Sequence, residues 1–287
     1  MKQFLAAVLL GFALVFSMRA QPVKIEVVAD QKTFLPGESL TVGVRVSNLS
    51  GQPLRFGLDN DWVAFIVQGA QQKSVLRLAE MPVTGAFTAE PTMHTTARFD
   101  LAPYYDLSRP GNYTVTAVVR VPELGTTFSS PPKKFDISRG TDLWEQEFGV
   151  PAPPGTAPII RKYTLVQASD LGQLKLYVRV TEADGRILKV HPLSVLVGSS
   201  RPEHQLDRQS NLHVLNQSGA KIMIYCVVAP DGELLKRQTY EMVSRVRLAL
   251  DLEGKIGVIG GERRVTASDI PAPTVSAAEK LDKPAAP

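Results

Sequence analysis

The sequence predicts an all-β chain of two domains, an N-terminal sandwich followed by a second antiparallel β domain built from duplicated hairpins. Three observations carry that expectation. Apolar residues recur with period two in segment after segment, while sustained helical periodicity is missing. Turn dipeptides such as Pro36-Gly37, Ser50-Gly51 and Pro110-Gly111 separate these segments. Two stretches of the second half also match each other, 172–189 with 219–236.

Residues 1–20 read as a secretory signal. Lys2 supplies the positive start, Phe4 to Phe16 an apolar run, and Ser17 to Ala20 a small residue before Gln21. A membrane span needs about 17–25 apolar residues, so this run is short for an anchor. No other long apolar run follows, so no integral membrane segment is expected after cleavage. Export to the periplasm or beyond is the expectation. Losing Lys2 and Arg19 lowers the formal charge from +4 to about +2, spread without a basic block. That excludes nucleic acid as the expected partner, because phosphate binding needs clustered cations. The single cysteine, Cys226, allows no internal disulfide, so the cores alone must hold the domains.

Over 22–138 seven or eight short strands are expected. Val23, Ile25 and Val27 alternate with polar partners, and Leu40, Val42, Val44 and Val46 do so more strictly. Leu54, Phe56 and Leu58 follow, then Leu76 and Leu78, then Ala97, Phe99 and Leu101. Tyr113, Val115, Ala117, Val119 and Val121 form the longest inward row, and Phe135 with Ile137 close the set. One apolar and one polar face per strand is the pattern of half-buried antiparallel sheets. Trp62 to Val67 is apolar on both faces, which predicts a central or covered strand.

Two of these stretches carry a resemblance. TFLPGESLTVGVRVSN resembles the second strand of bacterial exported immunoglobulin-like and macroglobulin-like domains, and YDLSRPGNYTVTAVVRV resembles their E–F corner and F strand. The resemblance implies that Tyr113, just after Gly111, is a corner tyrosine whose hydroxyl returns to backbone near Asp106 to Ser108. It spans 22–138 only and implies architecture rather than activity.

Residues 139–158 are expected to link the domains. TDLWEQEF allows a short helical turn with Trp144 and Phe148 at i,i+4, and VPAPPGTAP favours extended geometry. The second domain is expected over 159–268. Asp184-Gly185 and Asp231-Gly232 mark its two matching hairpins, and Glu253-Gly254 a weaker third. The repeat predicts either an eight-strand sandwich or two packed meander sheets, with a propeller fragment as the alternative. Cys226 falls on the apolar face of KIMIYCVVA and is expected to be buried filler. Residues 269–287, rich in Pro and Ala, are expected to be a disordered tail.

No catalytic residue, cofactor or metal site is expected. Nucleophile elbow, HExxH, P-loop and paired-cysteine patterns do not occur. His191, His204 and His213 have spacings that match no ligand motif, and His213 is expected on the surface or as a satisfied partner. Asp59, Asp61 and Trp62 suggest weaker alternatives, calcium or a sugar-stacking ring. The most polar long connection holds Arg201, Glu203, His204, Asp207, Arg208 and Asn211, and these with Trp62 are the candidate binding residues. The expected role is a non-enzymatic binding or structural protein of the bacterial envelope, with a protein or polysaccharide partner. The alternatives are a proteinase-inhibitor-like module acting through the 81–96 loop, and a hydrolase of unrecognised type.

Overall fold

A computed structural model describes residues 21–83, 85–150, 155, 159–198 and 200–271. The expected signal, most of the proline-rich stretch 151–158 and the expected tail beyond 271 lie outside the described residues. Among those described, no helix is long and apolar enough to cross a membrane.

The first domain packs two sheets on one core. One sheet runs β1 (Val23–Val28), β3 (Thr41–Asn48), β7 (His94–Asp100). The other runs β2 (Thr33–Phe34), β10 (Lys133–Ile137), β8 (Gly111–Val121), β5 (Val63–Gln68), with β9 (Thr126–Ser129) also on β8. A short pair, β4 (Leu54–Phe56) with β6 (Phe87–Ala89), closes one side. Only β2 with β10 is parallel among these pairings. The two sheets thus face each other in the orders β1-β3-β7 and β2-β10-β8-β5. Alternation does the packing: Val115, Ala117, Val119 and Val121 point inward from β8 and meet Val42, Val44 and Val46 in one cluster. Tyr113 stacks on Phe135 at 5.5 Å, and its hydroxyl donates to the carbonyl of Arg109 at 2.6 Å. The acceptor therefore lies one residue past the expected Asp106 to Ser108. Gly111 opens β8 opposite Ile137.

Three expectations fail here. Trp62 to Val67 is not a doubly covered strand: β5 lies at the sheet edge and Ile66 faces solvent. Leu76 and Leu78 point outward, because their segment runs beside the sheet with Val75, not its even neighbours, against the core. Leu58 is likewise exposed.

The second domain also packs two sheets, and here both are meanders. The first runs β11 (Thr141–Val150), β12 (Ile159–Asp170), β13 (Gln173–Glu182), β14 (Ile187–Val195). The second runs β15 (Glu203–Leu206), β16 (Leu212–Gly219), β17 (Ile222–Val228), β18 (Leu234–Glu241), with β21 (Glu262–Arg264) beyond. A separate hairpin, β19 (Arg247–Leu250) with β20 (Ile256–Ile259), covers the outer face of the second sheet. The duplicated hairpins are β13–β14 and β17–β18, one in each sheet. In all three turns glycine takes the left-handed region that an L residue resists: Gly185 at +85°, Gly232 at +88° and Gly254 at +76°. Cys226 is buried between the sheets, and burial pushes its thiol up to about 12, so it is an inert filler.

Residues 141–150 form neither linker nor helical turn; they are the first strand of this domain. Trp144 and Phe148 are four apart, an even spacing that puts both on one face of a strand as readily as of a helix. At the other end, Asp269 and Ile270 belong to the folded domain rather than to a tail. Asp269 is buried against Arg263, and Ile270 pairs with Arg237.

The two domains are clamped. Asp170 accepts from the amides of Lys32 and Thr33, both at 2.9 Å, and from Lys175 Nζ at 2.8 Å. Burial would raise this carboxyl, but those bonds outweigh it and hold the pKa below the usual range. Leu35 packs on Val166, Tyr177 and Val190 beside them. Gly37 sits where a Cβ would stand 2.6 Å from Ile187 Cγ2 with φ +82°, so only glycine allows the close approach.

Candidate functional site

The polar stretch 200–211 is not an open loop. It is the β15–β16 hairpin, and its residues divide between structural and exposed duties. Asp207 folds its turn: Oδ1 accepts from the amides of Gln209 and Asn211, and Oδ2 from Asn211 Nδ2 and His213 Nε2. Burial would raise this carboxyl too, but the bonds led by Asn211 hold it below its ordinary range. His213 then accepts from the Tyr225 hydroxyl through Nδ1 at 2.7 Å. With Nε2–H given to Asp207, the neutral imidazole is fully used. Burial holds its pKa below the ordinary value despite the pull of Asp207. Glu203 accepts from the amide of Leu248 at 2.8 Å, and the Arg208 guanidinium lies beside Gly254. So Glu203, Asp207, Arg208 and Asn211 shape the hairpin and hold β19–β20.

Arg201 and His204 do something else. β11 and β15 are the outer strands of their sheets, and they lie on the same side of the domain. A bulge at Leu143 breaks the alternation of β11. Asp142 therefore faces outward to Arg179, in two bonds of 2.9 Å, while Trp144 turns toward the inter-sheet seam. There Trp144 meets His204, ring centroids 4.1 Å apart. His204 Nδ1 lies 3.3 Å from the carbonyl of Pro202, which can only accept. Nδ1 carries the proton in that contact, and Nε2 is left as an acceptor. Around this pair opens a cleft of about 610 Å³, walled by Asp142, Gln167, Ser200 and Arg201. Ser210 Oγ closes the seam at its other end by donating to the carbonyl of Gly149.

A larger cleft of about 870 Å³ follows the domain joint. Its carboxylates are already engaged. Asp100 accepts from the amides of Leu40 and Ala102 and from Ser39 Oγ. Glu38 accepts from Leu35 N and Gln31 Nε2, and burial raises its pKa above the usual range. These groups fasten the joint. The Trp144–His204 cleft differs in setting an aromatic pair beside an exposed arginine that pairs with no acid among the described residues.

The remaining expected site residues lie elsewhere. Trp62 is 2 % exposed and packs on Phe56, Phe87 and Phe99, so it cannot stack on a sugar from solvent. Asp59 and Asp61 share the guanidinium of Arg120. His204 and His213 are neighbours of opposite facing: Val214, not His213, pairs with His204. Among the described residues, no three His, Cys, Asp or Glu side chains gather to hold a metal ion. Several described residues of the 81–96 segment are tied to the sandwich. Val83 is buried, Phe87–Ala89 pair with β4, and Asn48 binds the carbonyl of Ala89 at 2.8 Å. Over Phe87–Ala89 and His94–Thr96 the backbone is already paired in sheets, so the unpaired extended strand expected of such an inhibitor is not found at those residues. The residues missed by sequence reasoning are Trp144, Gln167 and Ser200; the period-two row Trp144, Phe148, Val150 is the signal for the first.

No family model matches the chain, and no curated protein matches it. Among solved structures it is similar to the sporulation control protein Spo0M from Bacillus subtilis, at 12 % identity and a TM-score of 0.30. That match covers 58 % of this chain and 83 % of the other. A likeness at that TM-score carries no argument about family or function.

Proposed function

We propose that this chain is an exported, non-enzymatic binding protein of the bacterial envelope, whose second domain presents the Trp144–His204 cleft to a polysaccharide or protein partner. The observation that carries the reading is the cleft itself: two rings packed at a tilt at a seam between edge strands, with Arg201, Gln167 and Ser200 around them. Binding sites combine an apolar surface with a few oriented polar groups, and this one does so on a rigid sandwich. Export rests on the apolar run after Lys2. The first domain is read as an immunoglobulin-like module, supported by its strand order and its corner tyrosine, and it serves as a clamped support.

The test is capture from envelope extract by residues 21–287, compared with Arg201→Gln and His204→Ala. Loss of one specific partner in both variants supports the cleft as the binding site. Equal capture by all three proteins would place binding elsewhere. Turnover of the captured partner would overturn the non-enzymatic part of the reading.

A further inference from the structure

We infer that the ligand of the Trp144–His204 cleft is a saccharide bearing carboxylates. This deepens the binding reading above and rests on it. Asp142, the carboxylate of the cleft wall, is held by both oxygens to Arg179. Lys162 pairs with Glu145, and Arg161 approaches Glu182. Arg201 is exposed and makes neither ion pair nor side-chain hydrogen bond among the described residues. The cleft therefore carries one uncommitted charge, and it is positive.

A guanidinium presents a planar fork of donors that matches a carboxylate in two parallel bonds. Next to it the half-buried Trp144 and His204 rings pack on each other at a tilt of 37°, and the indole lines the cleft as its aromatic surface. Gln167 and Ser200 can donate and accept, and His204 Nε2 can accept. A sugar ring has an apolar face, a rim of hydroxyls and, in a uronic acid, one carboxylate. These three features match the rings, the neutral polar groups and Arg201. A neutral sugar would leave the charge of the guanidinium unmatched, and an acidic peptide would cover the rings only through a further aromatic or proline side chain.

The experiment is isothermal titration calorimetry on residues 21–287 with three probes: an oligogalacturonate, a neutral gluco-oligosaccharide of equal length, and poly-glutamate. Arg201→Gln, Arg201→Lys and His204→Ala are titrated beside the parent, with melting temperatures checking that each is folded. The oligogalacturonate is expected to bind best and to weaken as salt rises. Arg201→Gln should lose about tenfold or more in affinity, with Arg201→Lys between, because it keeps the charge but not the fork. Equal binding of neutral and acidic sugars, untouched by Arg201→Gln, would overturn the carboxylate assignment while leaving the cleft in place. Poly-glutamate binding as tightly as the uronate would overturn the saccharide class. No binding by any probe, or binding indifferent to His204→Ala, would overturn this inference; envelope capture that still depends on the cleft would separate that failure from failure of the broader reading.

Discussion

The β15–β16 hairpin ends in two ways. At its turn, Asp207 accepts four hydrogen bonds and passes order through His213 to Tyr225. At its open end, Arg201 has no partner among the described residues, and His204 keeps one ring nitrogen free beside Trp144. The two ends look alike in sequence, both dense in charge and amide. What separates them is saturation. A carboxylate with every lone pair engaged is a fastener, because its bonds are made on folding and released only at a cost. A guanidinium left open beside an aromatic surface still has its bonds to make.

The sharpest way to break this comparison is Asp207→Ala. It strips the turn of its acceptor and leaves His213 and two amides short of partners. Since bonds to a charged group are worth roughly 1.5–3 kcal/mol each and are not additive, a loss of about 3 kcal/mol is expected. Urea denaturation measures it from the shift in midpoint at constant slope. A loss below about 1 kcal/mol would mean that the hairpin is held by its strands and not by this residue.

The next effect is a pH dependence at the same end. The folded pKa of His213 lies below its ordinary value of 6.5, chiefly through burial. The stability it contributes is therefore full above about 6.5 and is lost as pH falls through the folded value. Asp207, with a lowered pKa, acts later, below its ordinary 3.8. Glu38 is raised by burial and works in the opposite sense above 4.5. His191, lowered by burial, adds to the His213 trend. Stability measured from pH 7.5 to 5 should fall, and His213→Gln should flatten part of that fall. An identical slope in the variant would remove His213 from the account.

How far the sequence reveals all this depends on the range of the signal. The three hairpin turns are legible because Asp-Gly or Glu-Gly between apolar strands is a local pattern, and Cys226 because it stands in an unbroken apolar run. Trp144 is only half legible: Trp144, Phe148 and Val150 fit a period of two, but the spacing of the first two suits a helix as well, and the exposed Gln146 interrupts the row. The edge position of β5 is also hidden, since which strand neighbours which is set by the whole topology. The same holds for the charges. Nothing local says that Asp142 will meet Arg179, 37 residues away, and leave Arg201 alone.

Glu203 tests an intermediate case, an exposed carboxylate with one bond, to the amide of Leu248 in the covering hairpin. Glu203→Ala should cost about 1 kcal/mol or less, because the amide it leaves can turn to water. Hydrogen exchange at Leu248 should quicken in that variant while the β17 amides stay protected, since the apolar layer beneath still holds the sheet face. Quickened exchange along β17 as well would show that this one bond secures the whole cover.

The smallest stability effect belongs to the residue given the largest role in binding. Arg201→Gln removes a charge that touches no acid among the described residues, so its melting temperature and urea midpoint should stay within about 0.5 kcal/mol of the parent. Partner capture should nevertheless collapse. That pairing is the signature of a group kept for a ligand: a fastener loses stability first, and a binding residue loses affinity alone. If Arg201→Gln instead destabilised the domain as Asp207→Ala is expected to, the open end would be a second fastener, and the contrast between the two ends would be lost.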